Sequence, residues 1–249
     1  MHRVYQKPAL EVTGVERRSR THNIGNVSSA GFGDNGQEME LERALIEDLR
    51  RDHGVHTLIL YGSRARGDAT TESDVDVAGF AEVSETVRDA RLWNGMFLDA
   101  FVYPTALATA PDADMLKLCG GRVLLDEQEL AVPLLEQLAA LDRKGPPTLP
   151  ESELQMRRVW ARKMLARVRR GDVEAHYRRH WLLYQLLEDY YALRGEWYRG
   201  PKLALAALQL RAPATFAAFE RALAPDGSLD ALDALVDHVV REPTEREPG

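Results

Sequence analysis

The stretch from Thr57 to Phe80, TLILYGSRARGDATTESDVDVAGF, constrains the chain more than any other. Thr57 to Tyr61 is a short apolar, β-branched run that stops at Gly62 and Ser63, as a buried strand ending in a tight turn does. Ser63-Arg64-Ala65-Arg66 can open a helix with small residues where the backbone N–H groups are unpaired, and such a turn can hold an anion. Ser73-Asp74-Val75-Asp76-Val77 then begins a second strand. Side chains alternate along a strand, so Asp74 and Asp76 are expected on one face, with Val75 and Val77 on the other. Two neighbouring carboxylates repel unless a cation lies between them. An anion cradle beside a paired carboxylate suggests a nucleotide bound through a divalent metal.

The surrounding pattern predicts an α/β (α+β) unit with a small mixed sheet. Leu41, Ala44, Leu45 and Leu49 recur at helical spacing before a strand that starts near Val55. Ala81 to Arg91 reads equally as a helix or as an edge strand. Asn94-Gly95 between apolar residues signals a hairpin, whose returning strand, Phe97 to Tyr103, carries Asp99 on the face of Phe101 and Tyr103. An acid in the middle of an apolar strand costs stability unless it is paired or bound to metal. A strand at Arg122 to Leu125 and a helix capped by Asp126 follow.

Lys144 to Pro150, with three prolines and a glycine, cannot continue a helix and reads as a linker. Beyond it the pattern is helical throughout: 151–170, 173–193, 201–210, 213–223 and 228–240. The expected organisation is a leader over 1–37, an α/β domain over 38–145, a linker over 146–150, a helical bundle over 151–241 and a tail over 242–249. The leader is expected to be disordered from its Gly, Asn and Ser content. In the second long helix Tyr177, Trp181, Tyr184 and Tyr191 recur at helical steps, and core packing is the expected fate of most of these rings.

Composition narrows the function classes. A net charge of -7 over 249 residues argues against a chain that coats nucleic acid, although 151–211 carries 13 Lys and Arg against 7 Asp and Glu. No run reaches membrane-span length and no secretory apolar core opens the chain, so a cytoplasmic protein is expected. The single cysteine, Cys119, excludes an internal disulfide.

Gly62-Ser63-x-Ala65-x-Gly67 followed by Ser73-Asp74-x-Asp76 resembles the signature of the DNA polymerase β nucleotidyltransferase superfamily, and Asp99 fits its third carboxylate. Within that superfamily the short domain followed by helices is most similar to bacterial minimal and antibiotic-type nucleotidyltransferases. The resemblance implies that Gly62 and Ser63 hold the β- and γ-phosphates of an NTP, that Arg64 and Arg66 add positive charge there, and that Asp74, Asp76 and Asp99 bind two Mg2+ ions, with Mn2+ as an alternative. Two ions ~3.5–4 Å apart neutralise both attacking and leaving oxygens. A looser resemblance, over Arg194-Gly-x-Trp197-x-x-Gly200-Pro201-Lys202, implies a helical domain that closes over the nucleotide, with Lys202 reaching a phosphate. The implied reaction moves an NMP, most simply AMP from ATP, to a hydroxyl of a small molecule such as an aminoglycoside. Nucleotidylation of a protein or RNA partner, or a silent nucleotide-binding module, are the alternatives. A homodimer is compatible with either.

Overall fold

The computed structural model describes residues 35–241. The expected tail and almost all of the expected leader lie outside them. The chain opens with α1 (Asn35–His53), β1 (Thr57–Tyr61) and the short α2 (Gly62–Arg66), followed by β2 (Val75–Ala81), β3 (Val87–Trp93) and β4 (Met96–Pro104). Two 3-10 turns, Thr105–Ala108 and Ala113–Leu118, lead to β5 (Arg122–Asp126) and α3 (Ala131–Lys144). Five helices complete the chain: α4 (Glu151–Val168), α5 (Val173–Ala192), α6 (Pro201–Arg211), α7 (Pro213–Leu223) and α8 (Leu229–Val240). No helix among the described residues is long and apolar enough to cross a membrane.

The sheet is mixed, in the order β3-β4-β2-β1-β5. β2 and β4 run parallel, and every other neighbouring pair is antiparallel. Strand alternation divides the side chains between two cores. Leu58, Leu60, Val77, Leu98, Ala100 and Val102 face α1, where Leu45 and Leu49 cover them. Ile59, Ala78, Phe80 and Tyr103 face the other way, against Leu134 and Leu138 of α3 and Met115, Leu116 and Leu118 of the second 3-10 turn.

The segment that reads equally as helix or strand, Ala81 to Arg91, becomes the edge strand β3 from Val87 onward. Its inward side chains are charged, and α1 supplies their partners. Arg91 contacts Asp52 at 2.9 Å, His53 contacts Asp89 at 2.9 Å, and Trp93 at the strand end donates to Asp48 at 2.8 Å. Inward charges on an edge strand also discourage pairing with another chain. The hairpin turns at Asn94 and Gly95, with φ of 47° and 79°, the doubly left-handed turn that matches strand twist.

Asp126 caps α3, accepting from the backbone N–H groups of Leu130 and Ala131 at 2.9 and 3.0 Å. The helical region has its own core, built from Leu182, Leu186, Phe219, Leu232, Leu235 and Val239 among others. Tyr177, Trp181 and Tyr184 do not join it. They are 72%, 47% and 62% exposed, which corrects the expectation of core packing, while Tyr191 is buried as expected and Tyr190 is buried beside it. α5 is apolar on two faces, and its leucine face takes the interior. The helical region meets the α/β part where Trp197 packs against the α3 side of the sheet and Arg199 pairs with Asp142.

Candidate active site

The end of β1, the start of β2 and the start of β4 converge at one edge of the sheet. Register pairs Tyr61 with Asp76 across β1 and β2, and Asp76 with Asp99 across the parallel pair. Asp76 and Asp99 therefore lie side by side on the face opposite α1. Asp74 is not in the strand. It lies one residue before β2 begins at Val75, in the loop that α2 anchors.

That anchoring is the work of Arg64. Its guanidinium donates to Ser73 O at 2.8 Å and to Asp74 O at 3.1 Å, and reaches Met96 Sδ at 3.2 Å. Arg64, expected near the phosphates, fixes the backbone that delivers Asp74. Arg66 and Lys202, the other two cations expected on phosphate, converge on Asp68 at 3.3 and 3.1 Å. Asp68 lies two residues beyond α2, so Lys202 joins the start of α6 to the end of that short helix through an exposed ion pair. These cations hold the Asp68 carboxyl below its ordinary range, the Lys202 hydrogen bond being the largest favourable cause.

Gly62 is the tightest point of the site. Its φ is +73°, and a Cβ at this position would sit 2.2 Å from Asp76 Oδ2. Only glycine allows both the left-handed turn and a carboxylate pressed against its backbone. Ser63 beside it is buried.

Burial raises the Asp76 carboxyl above the usual range, and the negative charges of Asp74 and then Asp99 raise it further. This mutual repulsion marks the three acids as one electrostatic group. Asp99 is held by Arg88 of β3 in a two-pronged ion pair, 2.7 Å from Nε and 2.9 Å from Nη2. Among the described residues no group of three or more His, Cys, Asp and Glu side chains is drawn together closely enough to hold a metal ion.

The donor chemistry nevertheless fits a hard divalent cation. Carboxylate oxygens are the ligands such ions take, and the strain on Asp76 is the kind that a cation relieves. Arg88 now supplies the positive charge at Asp99.

Three residues of this site had no role in the sequence reading. Arg88 falls in the segment whose structure the sequence leaves open. Tyr61 is the last residue of β1, and burial followed by the charge of Asp76 pushes its phenol far upward, so it remains protonated. Lys117, exposed as a residue, places its ammonium 3.3 Å from the centre of the Phe101 ring and 5.5 and 5.8 Å from those of Tyr61 and Tyr103. Desolvation lowers its pKa to about 8, against the upward pull of Asp99 and Asp76. A lysine between two leucines in a short turn carries no sequence signal of where it points.

Residues 42–104, from within α1 to the end of β4, match the family model described as "Nucleotidyltransferase domain". Among solved structures the chain is similar to a nucleotidyltransferase-like protein from Exiguobacterium sibiricum, at 14% identity and a TM-score of 0.39, over 82% of this chain and 74% of that one. No curated protein matches. The matched segment contains the glycine turn, both strand carboxylates and the loop between them. Residues 42–104 are a nucleotidyltransferase domain of the DNA polymerase β-like superfamily.

Proposed function

We propose that the chain is a magnesium-dependent nucleotidyltransferase that moves an NMP, most simply AMP from ATP, to a hydroxyl of a small-molecule acceptor and releases pyrophosphate. The observation that carries this reading is the 2.2 Å between the Cβ position of Gly62 and Asp76 Oδ2, because a structural turn gains nothing from so close a carboxylate. The Gly62–Ser63 turn would receive the β- and γ-phosphates. Asp74 and Asp76 would hold the metal that accompanies them, and Asp99 would join them at the acceptor side. When bound, such ions supply charge neutralisation on the attacking and leaving oxygens. Arg64 keeps Asp74 in place. Lys202, beside the turn at Asp68, is poised to exchange that carboxylate for a phosphate.

The resemblance and the acidic composition point to an aminoglycoside-like acceptor, although the cavity described below has different chemistry. Nucleotidylation of a protein or RNA draws support from the 13 basic against 7 acidic residues of 151–211. Pyrophosphate release measured across the four NTPs, with and without hydroxyl acceptors, tests the central reading. Magnesium-dependent release that disappears in Asp76→Asn is expected. Absence of release with every NTP and acceptor would refute it.

A further inference from the structure

A cavity of about 310 Å³ lies in the helical region between α5, α6 and the turn that joins α7 to α8. Leu183, Tyr184 and Leu187 of α5, Tyr198 before α6, Leu205 of α6 and the 222–225 turn form its walls. The volume falls within the range of small-molecule sites, and the walls are mainly apolar and aromatic.

Two features specify an occupant. The first is charge. Among the described residues no carboxylate is part of the wall, the nearest charge of that sign being Glu188, which acts on Tyr198 from outside it, and the basic wall residues are Arg179 and His180. Arg179 donates to Ala222 O and Gly227 O at 2.9 and 2.8 Å, which fixes a positive charge at the cavity edge. A polycation entering here would meet like charge and apolar surface. The second is the aromatic lip. Tyr184 is both a wall residue and 62% exposed, and Trp181 and Tyr177 continue the row outward along α5. Trp181 meets Trp160 of α4 edge-on at 5.5 Å. A row of exposed rings leading to an apolar cavity suits a ligand that is itself a ring system.

The cavity shares one helix end with a residue that reaches the α/β part: Pro201 is part of the wall, and the next residue, Lys202, pairs with Asp68 two residues beyond α2.

We infer that this cavity receives the acceptor, and that the acceptor is a neutral or anionic hydroxyl compound built on an aromatic ring system rather than a polyamine. The inference rests on the transfer reading for the word acceptor, and on the cavity alone for the ligand chemistry. In the reaction the acceptor oxygen forms a bond to the α-phosphorus, and the bridging α–β P–O bond breaks. Pyrophosphate leaves with that electron pair, and the hydroxyl proton passes to a carboxylate of the acid group and on to solvent.

The test uses the full chain and 8-anilinonaphthalene-1-sulfonate as a fluorescent probe, with 2-naphthalenemethanol and neamine as competitors. Saturable dye binding is expected, weakened about tenfold or more by Tyr184→Ala, which removes the lip, and by Leu205→Trp, which fills the space, with the far-ultraviolet circular dichroism of both unchanged. The naphthyl alcohol should displace the dye and neamine should not. Dye binding that neither substitution alters, or displacement by neamine alone, overturns the inference. With ATP and magnesium present, the naphthyl alcohol should increase pyrophosphate release, and an increase with neamine instead overturns the acceptor class. Displacement of the dye without release from any NTP or acceptor refutes the transfer reading and leaves the ligand chemistry of the cavity standing.

Discussion

Arg88 and Asp99 form a diagonal pair across the β3–β4 hairpin, with both carboxylate oxygens of Asp99 engaged at 2.7 and 2.9 Å. The pair is partly solvated, so it adds at most about 1 kcal/mol to stability. Its larger effect is on what else Asp99 can bind. Arg88→Met should leave thermal stability nearly unchanged and tighten Mn2+ binding several-fold, because the metal no longer competes with a guanidinium. Titration of Mn2+ followed by electron paramagnetic resonance measures this, and unchanged or weaker affinity would show that Arg88 is not a competitor.

Gly62 offers a sharper prediction. A methyl group here meets Asp76 Oδ2 at 2.2 Å and forces a side-chain-bearing residue into φ of +73°. The left-handed backbone alone costs about 1–2 kcal/mol. Gly62→Ala should therefore lower the midpoint of urea unfolding and abolish NTP-dependent pyrophosphate release. Gly67→Ala is the control. That position also has positive φ, but an added Cβ meets nothing within 4 Å, so it should lose stability while retaining most activity.

Asp76 carries a pH signature. Its carboxyl titrates above the ordinary value, so between the unfolded and folded pKa the folded chain holds a proton that the unfolded chain has released. Stability contributed by this group falls as pH rises through that window, and the cost persists at neutral pH. Asp76→Asn should thus raise the Tm of the metal-free protein at pH 7 while removing activity. Calorimetry at pH 7 with chelator decides the sign, and a lower Tm for the variant would contradict the strain assigned to this carboxylate.

Lys117 should be visible as an early titration. Its ammonium, desolvated among three rings, loses its proton at about 8. Asp99 opposes that loss, so Asp99→Asn should move the titration lower still. Selective 13Cε labelling of lysine followed by NMR between pH 6 and 11 reads both values. An upward shift in the variant would exclude the coupling.

Sequence and structure agree most closely where local chemistry admits one answer. Asn94-Gly95 is a hairpin because both residues accept positive φ, and the Thr57–Tyr61 run is a buried strand because it is apolar and β-branched. The helices after Pro150 fall within a residue or two of their periodicities. The limits are equally physical. Arg88 was hidden because β3, Val87 to Trp93, owes its strand form to pairing with β4 and its inward charges to partners on α1, which no local pattern records. The aromatic row on α5 was misplaced because its spacing matches that of the leucines beside it. Periodicity identifies a face but not which of two faces the other helices will cover. Arg64 shows a third limit, since residue type says nothing of the two backbone carbonyls that its guanidinium holds.

The two-residue turn at Asn94 and Gly95 governs more than a reversal of direction. Arg88 and Asp99 are carried on the two arms of one hairpin, and its register places both on the same side of the sheet. Lengthening the turn by one residue would dephase the arms, so that the guanidinium or the carboxylate would rotate toward α1. A change in the length of this turn would therefore separate the acid from its partner without altering either residue.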